Sequence, residues 1–161
     1  MRKLKIYLDT TVISHLDHRD TPDKMADTWL LWELIQQGKY EAVISETTLD
    51  ELGDCPEEKF ALLTEYLHSI PYRVVADSPT IVEVAEKFIG FGILRQKSFD
   101  DCRHIAAAIV SGCDAIVSWN FKHIVNPKTA VGVKAVTATG GYPDLMIYTP
   151  TFLIGGDTDD S

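Results

Sequence analysis

Three carboxylates stand where an alternating strand–helix sequence puts its working groups. Asp9 closes the apolar run Lys5-Ile6-Tyr7-Leu8 and is followed by Thr10 and Thr11. Glu51 lies in Ser45-Glu46-Thr47-Thr48-Leu49-Asp50-Glu51-Leu52, just after the run Tyr40 to Ile44 and beside Leu49 and Leu52, which at i, i+3 are expected to face the core. Asp101 opens Asp101-Cys102-Arg103-His104-Ile105-Ala106-Ala107-Ala108, and Asn120 follows the run Ala115 to Trp119. Each has an ordinary reading: Asp9 as a helix N-cap, Glu51 as solvated surface, Asp101 as a partner for the helix dipole, Asn120 as a turn residue, His104 as a packed side chain. Their order and placement argue that they converge on one acidic pocket. Like carboxylates repel, so such a pocket needs a positive occupant. Oxygen donors suit a hard cation, Mg²⁺ or Mn²⁺, which polarises a phosphoryl oxygen and activates water.

The elements that must position these groups alternate along the chain. Strands are expected at Lys5–Leu8, Tyr40–Ile44, Tyr72–Val75, Ala115–Trp119 and Lys134–Thr137. Helices are expected at Asp23–Gln37, closed by Gly38, then Thr47–Gly53, Glu57–Ile70, a segment opened by Ser78-Pro79, and Phe99–Ser111, ended by Gly112. Such alternation predicts an α/β layered fold with a mostly parallel sheet, whose functional residues gather at the carboxyl ends of the strands. The alanines after His104 let their helix lie close to that sheet.

The chain has 161 residues, 45% apolar and 24% charged, which fits one globular domain and excludes a collagen-like or wholly disordered chain. No apolar run spans a bilayer, and the basic start Met1-Arg2-Lys3-Leu4-Lys5 is followed by too few apolar residues for a signal peptide. Cys55, Cys102 and Cys113 have no metal-type spacing and read as free thiols of a cytoplasmic protein. The net charge of −9 opposes non-specific binding of nucleic acid. The charge is uneven: Glu46 to Glu58 holds six acids and no base, whereas Phe88 to Pro143 is net +3. A local basic face on an acidic molecule is therefore expected. Residues 1–154 are expected to form the domain and 155–161, ending Asp159-Asp160-Ser161, a disordered tail.

Taken together, the Asp9, Glu51, Asp101 and Asn120 segments resemble the PIN-domain nuclease family, including the ribonuclease toxins of VapC type from bacterial toxin–antitoxin pairs. The likeness covers roughly Lys5 to Val136. It implies a three-layer fold with a central, mostly parallel sheet of about five strands, and metal-dependent cleavage of single-stranded RNA. By position, Asp9 and Asp101 match the family's metal-holding acids, Glu51 holds the metal or positions the water, and Thr10 or Thr11 matches a supporting hydroxyl. Arg95, Lys97, Arg103, Lys122 and His123 are candidates to guide the RNA backbone. An antitoxin that inserts a basic side chain into the acidic pocket, and a homodimer, are implied as partners. The chain departs from the pattern after the fourth strand, where Asn120 stands in place of a further acid and His123 where an Asp is common. The alternative is a PIN-like protein that binds RNA or a protein partner without cutting.

Other readings have less support. A haloacid-dehalogenase-type phosphatase needs a second Asp two residues after Asp9, where this chain has Thr11. A receiver domain needs a Lys after a late strand. His15 and His18, with Asp17 and Asp20, lack a cysteine pair and read as a solvated loop rather than a zinc site. No glycine-rich phosphate loop is present. Trp29 and Trp32 read as core, with part of their stripe a possible partner surface. Asp114, at the start of the fourth strand, reads as structural.

Overall fold

The computed structural model describes residues 2–155. Five strands, β1 (Leu4–Leu8), β2 (Tyr40–Ser45), β3 (Tyr72–Val75), β4 (Ala115–Val117) and β5 (Met146–Tyr148), form one sheet in the order β3-β2-β1-β4-β5. Every pairing is parallel: Tyr7 stands opposite Val43 on one side and Ile116 on the other. The order reverses between β1 and β4, the place where open parallel sheets leave a crevice at their carboxyl edge.

Among the described residues, eight α-helices cover the sheet: α1 (Thr10–Ser14), α2 (Pro22–Gln36), α3 (Glu46–Gly53), α4 (Glu57–Leu67), α5 (Pro79–Gly90), α6 (Phe99–Val110), α7 (Pro127–Gly140) and α8 (Pro150–Gly155). Because both faces are covered, the central strands read as continuous apolar runs rather than alternating ones. Alternation decides which core each residue joins. Tyr7, Val43 and Ile116 pack with Phe88, Ile105 and Val136 from α5, α6 and α7. Ile6, Leu8, Ile44 and Val117 pack on the other face with Val12, Trp32, Leu52 and Leu63. This is the three-layer α/β architecture that the strand–helix alternation predicts.

Two expectations are corrected. The segment Lys134–Thr137 is not the fifth strand; it lies inside α7. Asn126 caps that helix by accepting from Thr129 N at 2.9 Å, Pro127 occupies its first turn, and Gly141 ends it at φ +75°. Its buried residues, Thr129, Gly132, Val133, Val136 and Thr137, fall at helical spacing. The β-branched residues read as a strand are one face of a helix. The true fifth strand, Met146–Tyr148, lies in a stretch with no visible period. Leu49 is also exposed, at 39%, while Leu52 is buried, because the inner face of α3 runs through Thr48 and Leu52.

The other expected elements fall within three residues of expectation, the largest offset being the end of α4 at Leu67 against Ile70, while α1 and α8 stand outside the expected set. Trp32 is buried and donates from Nε1 to Tyr66 O and Ser69 Oγ; Trp29 is half-buried and donates to Leu16 O. All three cysteines are free. Asp114 is structural: it bonds Lys5 N and pairs with Arg2 at 2.6 Å, at the amino edge of the sheet. Of the expected tail, Gly155 closes α8, and 156–161 lie outside the described residues. Among the described residues, no helix is long and apolar enough to cross a membrane.

Candidate active site

Asp9 follows the last residue of β1 and is 2% exposed. Its backbone is extended (φ −78°, ψ 173°), and it caps α1 by accepting from Val12 N at 3.3 Å. That is the ordinary N-cap role, and the carboxylate does more. Oδ1 accepts from Thr11 Oγ1 at 2.6 Å and Oδ2 from Ser118 Oγ at 2.5 Å. Those two hydroxyls accept in turn from the backbone after β4, Thr11 from Trp119 N and Ser118 from Asn120 N, each at 2.9 Å. Asp9 is thus stitched through two hydroxyl relays to the loop that carries Asn120. Burial pushes its carboxyl above the usual carboxylate range, against the opposing charge of His104 and these donors.

Glu51 projects from α3, and its Oε1 accepts from Thr10 Oγ1 at 2.5 Å and from His104 Nε2 at 2.5 Å. Burial alone would raise its carboxyl, but the hydrogen bond and charge of His104 and the Thr10 hydroxyl outweigh it and hold it below its ordinary value. Thr10 and Thr11 therefore divide the supporting work, the first on Glu51 and the second on Asp9.

His104 is 2% exposed on the inner face of α6. Its Nδ1 lies 2.6 Å from Tyr7 Oη, and that hydroxyl reaches Ser45 Oγ at 2.7 Å and Thr48 Oγ1 at 3.3 Å. Burial disfavours the imidazolium strongly, yet the bond to Glu51 and the charges of Asp9, Glu51 and Asp101 together prevail and raise its proton affinity. All three candidate carboxylates act on this one ring, which makes it their buried countercharge. The chain Tyr7–Ser45–Thr48 beneath it is not visible in the sequence pattern. The one clue is a tyrosine between the buried aliphatic residues Ile6 and Leu8 of a central strand.

Asp101 lies in the first turn of α6, next to the reversal point of the sheet. Its Oδ2 accepts from His123 Nδ1 at 2.8 Å and its Oδ1 from Asn120 Nδ2 at 3.3 Å. Asn120 Oδ1 accepts from His123 N at 2.9 Å, closing a small ring of three residues. Burial raises the Asp101 carboxyl; His123 and His104 oppose this, and Glu51 adds to it. Thus Asn120 and His123 are both donors turned onto Asp101.

Of the basic candidates, Arg95, Lys97, Lys122 and His123 line a common cavity with Lys128, which the sequence reading did not single out. Arg103 is elsewhere: its guanidinium pairs with Asp77, and its Nε is buried without a partner. His15 and His18 stack at 4.4 Å beside Trp119.

The donor chemistry suits a hard cation, since Asp9, Glu51 and Asp101 offer oxygens only, and no bond from the protein engages Glu51 Oε2 among the described residues. Also among them, no three His, Cys, Asp or Glu side chains are grouped closely enough to hold an ion together. Mg²⁺ does not require such a cage: it keeps several waters and takes one or two carboxylates plus substrate phosphate.

No family model matches the chain, and no curated protein matches it. Solved structures do. One is VapBC2 from Rickettsia felis, crystallised on a DNA fragment from its promoter. It matches with TM-score 0.57 and 14% identity, over 91% of this chain and 98% of that chain. Another is VapC20 from Mycobacterium tuberculosis, a toxin that cleaves the sarcin–ricin loop. It also has TM-score 0.57, at 18% identity over 73% of this chain and 92% of that chain. At these identities the likeness speaks to fold, and over most of its length this chain has the PIN-like fold of the VapC toxins.

Proposed function

We propose that the protein is a metal-dependent endoribonuclease acting on single-stranded RNA, of the kind that serves as the toxin of a toxin–antitoxin pair. The observation that carries this is the convergence of Asp9, Glu51 and Asp101, from three separate elements, around the single buried ring of His104 at the carboxyl edge of the sheet. Carboxylates with shifted proton affinities, gathered at the carboxyl edge of a parallel sheet, fit an acidic site for phosphoryl chemistry.

Asp9 and Asp101 would hold Mg²⁺ or Mn²⁺, with water and substrate phosphate completing its shell, and Glu51 would act on the water. Bound there, the ion would neutralise charge on the phosphate and make water at the site more acidic. The protein's own groups do the rest. Thr11 and Ser118 lock the Asp9 carboxylate in place. His104 and Thr10 keep Glu51 ionised with Oε1 engaged, leaving Oε2 to take a proton from the attacking water. The water oxygen bonds to phosphorus, the opposite P–O bond breaks, and the departing ribose oxygen takes a proton from solvent. The antitoxin expected by analogy with VapBC2 would present a basic side chain to the same acidic pocket.

Cleavage of a mixed single-stranded RNA pool in Mn²⁺, Mg²⁺ and EDTA, with Asp101→Asn alongside, tests the reading. Metal-dependent cutting that the variant abolishes supports it. The engagement of Asp101 by Asn120 and His123 favours the second reading, a PIN-like protein that binds RNA or a partner without cutting. A folded, uninhibited protein that cuts in no metal would establish that reading instead.

A further inference from the structure

Beside Asp101 lies a cavity of about 440 Å³, within the range of ligand sites and walled by the loop before α6 and the first turn of α7. Four cations line it, Arg95, Lys97, Lys122 and Lys128, and among the described residues no carboxylate does. On a molecule of net charge −9 this is a marked concentration. Among the described residues, ion pairs engage Arg2, Arg19, Arg103 and Lys134, but none of these four. Four like charges round one cavity repel each other, and a polyanion relieves that cost.

Local hydrogen bonds and one close packing contact hold the walls. Asn126 bonds Phe121 O and Lys122 O through Nδ2 and Thr129 N through Oδ1, and Thr129 Oγ1 donates to His123 O at 2.7 Å. Ile93 packs directly on Gly132, where a Cβ would stand 2.7 Å from Ile93 Cγ1. The cavity adjoins the acidic site through one side chain: His123 bonds Asp101 through Nδ1, while its Nε2 lies 3.5 Å from Ser98 Oγ on the cavity wall. On the outer side the cavity runs into an apolar groove that carries the half-exposed ring of Phe91.

We propose that this cavity is a phosphate subsite for the RNA strand. It would receive a phosphodiester neighbouring the one at Asp101 and so set which bond reaches the carboxylates. Arg95, on the loop before α6, and Lys128, in the first turn of α7, are the principal anchors, and Lys97 and Lys122 complete the set. The inference rests on the nuclease reading for the identity of the strand. It differs from a general basic face in assigning the contact to one cavity and excluding Arg103, whose charge Asp77 already meets.

Binding of a short fluorescent single-stranded RNA in EDTA, followed by anisotropy over a range of salt, tests it without requiring cleavage. Each lost phosphate contact lowers the slope of log K against log salt by about 0.7 for a single strand. The Arg95→Ala/Lys128→Ala variant should bind at least about tenfold more weakly at low salt and lose about 1.4 of slope. Lys3→Ala/Lys39→Ala removes the same charge at the opposite edge of the sheet and should leave the slope unchanged. Equal slopes in the two double variants, or a wild-type protein that binds no RNA at low salt, would overturn the proposal. Parallel cleavage assays in Mn²⁺ separate the two ideas. Cavity-dependent binding without cutting counts against the nuclease reading alone. Intact cutting with cavity-independent binding overturns the subsite alone.

Discussion

His104 Nε2 lies 2.5 Å from Glu51 Oε1, with the ring 2% exposed and the carboxylate side chain 31% exposed. This pair is the electrostatic keystone of the site, because the same ring also answers the charges of Asp9 and Asp101. Removing one member of a paired buried charge costs more than the pair contributes, since the remaining charge is stranded. His104→Ala should therefore destabilise the protein by about 3 kcal/mol. Glu51→Gln, which keeps an acceptor for Nε2, should cost about 1 kcal/mol. Urea unfolding of both variants checks the order.

The same pair sets a pH dependence. The folded protein raises the affinity of His104 for its proton above the ordinary value of 6.5. The stability this supplies is complete below that value and is lost as pH rises through the folded one. Burial raises the Asp9 and Asp101 carboxyls too, so their ionisation also costs stability, over a window that begins at their ordinary value of 3.8. Glu51 acts oppositely, but its contribution is lost only as pH falls through a folded value below 4.5. In EDTA, stability should fall as pH rises above 6.5, and His104→Gln should flatten that fall. A slope that the variant leaves unchanged would show that the ring is not the titrating group.

The central sheet was legible because β1, β2 and β4 are short apolar runs, each ending in a polar residue, and burial on both faces demands that composition. α7 was misread although its signals were present. Asn126-Pro127 and Gly140-Gly141 bracket it, and Thr129, Gly132, Val133, Val136 and Thr137 keep helical period. Local β-branched content masked that longer period. Met146–Tyr148 has no such signal, because a three-residue edge strand is formed by its partner β4 rather than by its own sequence. In the site, Asp9, Glu51 and Asp101 could be picked out because strand ends and helix starts are visible in sequence. Ser118 and the Tyr7–Ser45–Thr48 chain could not, since a hydroxyl becomes a relay only when distant segments meet.

Asn120 donates to Asp101 Oδ1 at 3.3 Å, so Asn120→Asp replaces a donor with a second negative charge. Without metal, the two carboxylates repel, and stability should fall by about 1–2 kcal/mol. With Mn²⁺ the added carboxylate becomes an oxygen donor beside Asp101. The rise in melting temperature on adding Mn²⁺ should therefore be larger in the variant than in the wild type. An equal or smaller rise would place the ion away from this pair.

Gly132 tests how the cavity wall is held. A Cβ there would lie 2.7 Å from Ile93 Cγ1 and 2.8 Å from Ile93 Cγ2, so the whole Ile93 side chain must move rather than one flexible end. Gly132 has ordinary backbone angles, and alanine is the better helix former by roughly 1 kcal/mol. Overpacking a close contact costs about 1–3 kcal/mol and should prevail, so Gly132→Ala should destabilise. Ile93→Ala removes the obstructing atoms. In that background the same substitution should change sign and stabilise by up to about 1 kcal/mol, as the helix preference acts unopposed. A double-mutant cycle by chemical unfolding reads the reversal, and additive effects of the two substitutions would refute the contact.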